Sequence, residues 1–128
     1  GCMVNAGCHN ANNTPTGGAW DYGGEAFMDG SGTIPYAGAT ILLFDGTLYQ
    51  QLPVLANGFF YAFAGEFTAP STTMPIMAWL CDGSNMWPMT QALSTMDPNH
   101  ATTDSTDGNC NAAACHGPGG SGGFIYPL

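Results

Sequence analysis

The sequence predicts a mainly β protein, a small antiparallel β-sandwich with irregular segments at its two ends. Short apolar runs rich in aromatic and β-branched residues recur along the middle of the chain. Turn signals such as Asp-Gly, Asn-Gly and Ala-Pro-Ser separate these runs at regular intervals. No window carries a sustained i, i+3, i+4, i+7 apolar stripe, so helices are expected to be scarce. Regular short strands of this kind are typical of an antiparallel sandwich.

Six runs are predicted strands, in the order GGEAFM, GATILLF, TLYQQLPVL, GFFYAFAG, TTMPIMAWLC and MWPMTQAL. The clearest turn is Asn57-Gly58, which predicts a type I′ turn because Asn tolerates positive φ and Gly adopts it freely. The strands place the sandwich at residues 24–93. Residues 1–23 and 94–128 form the predicted N-terminal and C-terminal segments.

The middle of the chain, GGEAFMDGSGTIPYAGATILLFDG followed by LANGFFYAF, resembles the transthyretin-like, carboxypeptidase-regulatory type of β-sandwich. The resemblance rests on a Pro-x-x-Gly-Ala-x-hydrophobic strand and a later Asn-Gly-x-Phe turn. The matching residues are Pro35, Gly38, Ala39, Ile41, Asn57, Gly58 and Phe60. Such domains are structural modules, so the resemblance implies a scaffold and transfers no catalytic residue.

The charge balance excludes several classes of partner. Lys+Arg is 0 and Asp+Glu is 9 in 128 residues, so the chain has no cation with which to neutralise phosphates. Nucleic acid and an anionic membrane surface are therefore not expected partners. No run of about 18 apolar residues predicts a membrane span. Five cysteines and loops of Gly, Ser, Thr and Asn favour an exported, extracellular or cell-surface protein.

Near the C-terminus, CNAAACHG combines two thiols with an adjacent imidazole in a Gly- and Ala-rich segment that has too little apolar side chain for a core. This Cys-x4-Cys-His pattern resembles the haem-attachment motifs of multihaem c-type cytochromes. The resemblance implies that Cys110 and Cys115 bind a haem c covalently and that His116 ligates its iron. A local disulfide and a zinc site are the alternatives at this position.

A second, similar segment begins the chain. CMVNAGCHNANNTPTGGAWDY and CNAAACHGPGGSGGFIY share the Cys-His pair, a polar Gly-rich run and a Gly-Gly-aromatic ending. By this likeness Cys2, Cys8 and His9 hold a second haem c. The alternatives are acylation of Cys2 and a Cys8–Cys81 disulfide. The two-haem hypothesis leaves Cys81 as a buried free thiol in an apolar strand.

Each iron also needs a sixth ligand. The chain has 3 histidines, so His100 is the one left after His9 and His116. It is the predicted distal ligand of the C-terminal haem, and an exposed loop histidine is the alternative. The other iron would take a water, a neighbouring copy's histidine or a methionine; the methionines near loops are Met3, Met86, Met89 and Met96.

The sequence carries little sign of catalysis, and we predict that the protein is not an enzyme. No Ser-His-Asp order stands out, and GPGGSGG lacks the lysine of a phosphate-binding loop. Asp104 and Asp107 lie in an acidic, turn-rich stretch. A glycosidase dyad or a weak Ca²⁺ site there is no better supported than a solvated loop.

These observations lead to an extracellular diheme c-type cytochrome that exchanges electrons with redox partner proteins or extracellular acceptors. Because no cation would be buried, copies of the chain could pack together into a head-to-tail polymer with a continuous chain of haems. A monomeric carrier is the alternative assembly. The alternative from another class is a disulfide-stabilised structural or adhesive β-domain of the cell surface without haem.

Overall fold

The computed structural model describes residues 20–63, 66–67, 76–89 and 125–127. This part of the chain contains six strands and no helix, which confirms the mainly β prediction. The strands are β1 Trp20–Glu25, β2 Thr40–Phe44, β3 Tyr49–Pro53, β4 Phe59–Phe63, β5 Met77–Asp82 and β6 Asn85–Pro88. Each overlaps one of the six predicted runs. β1 begins at Trp20, ahead of residue 24, where the sequence placed the start of the sandwich.

The strands form two antiparallel sheets. The large sheet has the order β3-β2-β5-β6, and the small sheet pairs β1 with β4. In the large sheet Leu42 lies opposite Gln51 of β3 and Trp79 of β5, which fixes the register of the three strands. In the small sheet Gly23 pairs with Tyr61, and the pairing shifts by a bulge near Trp20.

The core lies between the two sheets. Ile41 and Leu43 of β2 are buried, whereas their neighbours along the strand are only half-buried, because successive side chains of a strand point to opposite faces. Phe60 and Ala62 of β4 are buried in the same alternating way. One cluster contains the buried side chains of both sheets, namely Tyr22, Ala26, Ala39, Ile41, Leu43, Leu52, Val54, Phe60, Ala62, Ile76 and Leu80.

The turn between β3 and β4 differs from the predicted type I′ turn. Gly58 has a φ of 87°, but no non-glycine residue of the described part has positive φ, so Asn57 does not take the left-handed conformation. The Gly58 N–H donates to the Leu55 carbonyl at 2.9 Å, and the Leu55 N–H donates to the Phe59 carbonyl at 2.8 Å. This is a three-residue loop in which an ordinary turn is followed by a left-handed glycine. The prediction was wrong because Ala56 adds a residue that lets Asn57 keep negative φ.

Candidate functional site

The predicted haem-binding residues all lie outside the described residues. They are Cys2, Cys8, His9, His100, Cys110, Cys115 and His116, and Asp104 and Asp107 lie outside as well. The described structure consists mainly of the sandwich that lies between these two segments in the sequence. It also locates Cys81 and the carboxylates of the sandwich.

Near the C-terminus, Ile125 pairs with the residues that directly follow β1. Ile125 forms a parallel bridge with Ala26, and the Phe27 N–H donates to the Ile125 carbonyl at 2.8 Å. The next residue, Tyr126, lies over Gly30: a Cβ at Gly30 would stand 3.0 Å from Cζ of the Tyr126 ring. Absence of a side chain at Gly30 thus allows the Tyr126 ring to lie against the backbone there.

Cys81 lies on β5 and is a free cysteine within the described part of the chain. Its neighbours across the strands are Thr40 on β2 and Met86 on β6. The thiol is half-buried, and burial raises its pKa. A raised pKa leaves less of the nucleophilic thiolate at neutral pH, so Cys81 has the character of an unreactive structural thiol.

Two of the predicted methionine candidates lie in the described part of the chain. Met86 is 54% exposed on β6, whereas Met89 packs against the core and donates its N–H to the Ala78 carbonyl. Met89 therefore serves as core filler. Met3 and Met96 lie outside the described residues.

The loop carboxylates of the sandwich are occupied by local hydrogen bonds. Asp29 accepts from the N–H and the hydroxyl of Ser31 and from the N–H and the hydroxyl of Thr33, at 2.7 to 3.3 Å. The Ser31 hydroxyl contributes most to lowering the pKa of Asp29 to about 2. Asp45 is buried and accepts from the N–H groups of Thr47 and Leu48 at 2.8 and 2.7 Å. Both carboxylates thus shape turns, because their oxygens satisfy loop donors.

A third carboxylate ties a loop to the large sheet. The Tyr36 hydroxyl donates to Asp82 at 2.5 Å, and this hydrogen bond raises the pKa of Tyr36. Tyr36 also donates its N–H to the Ala26 carbonyl at 3.0 Å. These two bonds connect the end of β5 to the region where Ile125 joins the small sheet.

The outer face of the large sheet has no charged side chain. Its residues alternate with the buried ones and are Thr40, Leu42, Phe44, Tyr49, Gln51, Pro53, Met77, Trp79, Cys81, Met86 and Pro88. Phe44 and Tyr49 stack with ring centroids 4.3 Å apart, and Tyr49 is 63% exposed. Exposed apolar patches on proteins are often contact surfaces, so this face is a candidate for one. The sequence pattern alone did not distinguish it, because both faces of β2 and β5 carry apolar residues.

The described residues contain no group of three or more His, Cys, Asp or Glu side chains placed to hold a metal ion. No helix in this part of the chain is long and apolar enough for a membrane span. In comparisons with known proteins, the chain matched no protein family, no curated protein and no solved structure.

Proposed function

We propose that the protein is an exported diheme c-type cytochrome that transfers electrons. The observation that carries this proposal is the segment CNAAACHG, in which two thiols and an imidazole are adjacent in a stretch with little else to fold around. The similar segment CMVNAGCHN at the start of the chain supports a second site. Haem in such sites supplies reversible one-electron chemistry at iron.

The cysteine count agrees with this proposal. Cys110 and Cys115 form thioethers at one site, Cys2 and Cys8 at the other, and His116 and His9 ligate the two irons. Of the five cysteines in the chain, Cys81 is then the one that neither site uses. Cys81 is a free thiol in the described part of the chain, and this supports the division. The transthyretin-like resemblance assigns the middle of the chain the role of a scaffold.

The surface supports the proposed self-association. The outer face of the large sheet is apolar and uncharged, in a chain whose formal net charge is −9. Copies of such a chain repel each other everywhere except where carboxylates are absent. We therefore propose that this face is one of the two different surfaces that meet between successive copies of the head-to-tail polymer. Redox proteins or extracellular acceptors are the other partners.

A haem assay tests the central proposal. The pyridine haemochrome spectrum of the purified protein is expected to show haem c, and the intact mass is expected to exceed the polypeptide mass by two haem increments. The double variant Cys110→Ala with Cys115→Ala should lose one increment because both thioethers of that site are gone, and Cys81→Ala, the control, should lose none. A colourless protein with the polypeptide mass would refute the proposal and favour the disulfide-stabilised structural or adhesive domain.

The sixth ligand has its own test. His100→Ala is expected to change the spin state of one iron while both haems stay bound, because a distal imidazole is lost. An unaltered spectrum would make His100 a surface residue.

The polymer is tested by negative-stain imaging and sedimentation. The unchanged protein should form fibres, and Tyr49→Glu should weaken them because it places a carboxylate on the uncharged face. Thr47→Glu adds the same charge at an exposed turn and serves as the control. Separate particles at high concentration would leave the monomeric carrier.

A further inference from the structure

The outer edge of β3 is open to another strand. β3 comes first in the order β3-β2-β5-β6, so within the described part of the chain it pairs with β2 on one side only. Proteins commonly protect such an edge with a charged side chain or a β-bulge. β3, with the sequence YQQLP, has no charged side chain, and its pairing with β2 runs without a shift over all 5 residues. Tyr49, Gln51 and Pro53 are exposed along it.

The register determines which backbone groups face outward from this edge. The Val54 N–H donates to the Ala39 carbonyl at 2.8 Å. Because every second residue of an antiparallel strand bonds to the same neighbour, the even-numbered residues of β3 bond to β2. The N–H and carbonyl groups of Tyr49 and Gln51 therefore point away from the sheet, as does the carbonyl of Pro53, which has no N–H. Among the described residues, no hydrogen bond outside the sheets occupies these groups.

A second copy of β3 complements this pattern of donors and acceptors. With the two strands antiparallel and centred on Gln51, the two Gln51 residues exchange both of their backbone hydrogen bonds. The Tyr49 N–H of each copy then donates to the Pro53 carbonyl of the other copy. On the outer face each Tyr49 ring lies across from a Pro53 ring, and the two Gln51 side chains adjoin each other. Cross-strand pairs of this kind stabilise a sheet.

The distribution of charge favours β3 for a contact between identical copies. A two-fold axis brings residues near the axis close to their counterparts, so a carboxylate there would face another carboxylate. The chain has a formal net charge of −9 and no Lys or Arg to offset such repulsion. β3 carries no carboxylate. The carboxylate that precedes it, Asp45, is buried and accepts from the N–H groups of Thr47 and Leu48.

The opposite edge of the large sheet, β6, is less suited to such a contact. The Met89 N–H donates to the Ala78 carbonyl at 2.8 Å, so the outward backbone groups of β6 are those of Met86 and Pro88. Pro88 has no N–H, which leaves Met86 as the outward donor of this strand. The exposed carboxylate of Asp82 also lies beside the start of β6. β3 thus offers more donors and less repulsion.

We infer that two copies of the chain pair through β3, antiparallel and across a two-fold axis, and so join their large sheets into one continuous sheet. The contact is isologous, which means that it closes at two copies and does not propagate. It is therefore distinct from the head-to-tail contact proposed for the outer face of the large sheet. It uses only residues of the sandwich, so it holds whether or not the protein carries haem.

The mass of the particle in solution tests this pairing. All proteins carry Met86→Glu, which places a carboxylate on the outer face at the edge away from β3 and so suppresses the proposed polymer. Gln51→Pro removes an outward N–H and keeps the hydrogen bonds to β2, whereas Gln51→Ala, the matched control, keeps that N–H. Sedimentation equilibrium should show a two-chain particle for the background protein and for Gln51→Ala. Gln51→Pro should raise the dissociation constant of this particle roughly ten-fold or more.

Cross-linking tests the register and does not depend on the folding of the proline variant. In protein that carries Cys81→Ser, a short bismaleimide should join Gln51→Cys to its counterpart in the second copy, and peptide mapping should locate the link at position 51 of both chains. Thr47→Cys is the control. Its counterpart lies roughly 25 Å away, because position 47 is four residues from the axis on each side at about 3.3 Å per residue.

Three results would overturn the inference. The first is a one-chain particle for the background protein at high concentration. The second is a two-chain particle that persists in Gln51→Pro with an unchanged near-ultraviolet circular dichroism spectrum, since the contact would then lie elsewhere. The third is equal linkage at positions 47 and 51. The haemochrome assay on the same samples reports separately on the proposed function, so either proposal can fail without the other.

Discussion

Gly58→Ala should destabilise the sandwich for two reasons that can be separated. Gly58 has a φ of 87°, in the left-handed region that residues with a Cβ rarely adopt. A Cβ at this position would also stand 3.1 Å from the Ala26 carbonyl oxygen and 3.2 Å from the Pro35 Cβ. The glycine cannot move away easily, since its N–H and its carbonyl bond to Leu55 and Ala26.

The expected loss is the sum of these costs minus a gain. Left-handed backbone costs a non-glycine residue roughly 1–2 kcal/mol. Forcing extra atoms into a packed site costs roughly 1–3 kcal/mol. Alanine also lowers the conformational entropy of the unfolded chain, which stabilises the folded state by roughly 0.4–1 kcal/mol. The free energy of unfolding should therefore fall by about 3 kcal/mol in Gly58→Ala, within a range of roughly 1–5 kcal/mol.

Gly38→Ala isolates the contact part of the loss. Gly38 has a φ of 84°, close to that of Gly58, but no heavy atom lies within 4 Å of its ideal Cβ. The free energy of unfolding of Gly38→Ala should fall by only about 1 kcal/mol. This is the cost of the left-handed backbone reduced by the lower entropy of the unfolded chain. Denaturant unfolding followed by near-ultraviolet circular dichroism measures both variants. Equal losses in the two would refute the argument that Ala26 and Pro35 crowd Gly58.

Three further predictions concern single groups. Asp29 should titrate with a midpoint of about 2 by carboxyl NMR. The pKa of Asp29 in the folded protein lies below its ordinary value of 3.8, so its loop hydrogen bonds stabilise the fold at pH values above 3.8. This stabilisation is lost as the pH falls towards 2. Ser31→Ala should move this midpoint upward, and an unchanged midpoint would contradict the assigned cause. Cys81 should react with iodoacetamide more slowly in the folded protein than in denaturant, because burial raises its pKa; equal rates would contradict the buried position. Gly30→Ala should displace the Tyr126 ring and speed amide exchange at Phe27, and unchanged exchange there would show that the contact does not hold the C-terminal end.

Much of the sandwich was predictable because short-range physics determines it. Short runs of aromatic and β-branched residues mark the strands, and glycine-rich turns mark where the strands end. The geometry of the Asn57-Gly58 turn was not predictable in the same way. Its type depends on whether two or three residues connect the strands, and the pairing of Leu55 with Phe59 decides that.

The two Cys-His segments illustrate the same division. The proposal that they bind haem rests on the sequence alone, because the pattern of two thiols and an adjacent imidazole is local. The bridge between Ala26 and Ile125 was not predictable, because no local pattern encodes a pairing between residues so far apart in the sequence.

The sequence by itself determined the strand content, the positions of most turns, the absence of cationic side chains and the identity of the candidate haem-binding residues. All of these follow from local pattern and composition. Only the tertiary structure decided which apolar residues face outward, that Cys81 is free and half-buried, and that Ile125 runs parallel to the chain at Ala26. These features arise from contacts between distant parts of the chain, which compete with each other and are resolved only when both sheets pack around one core.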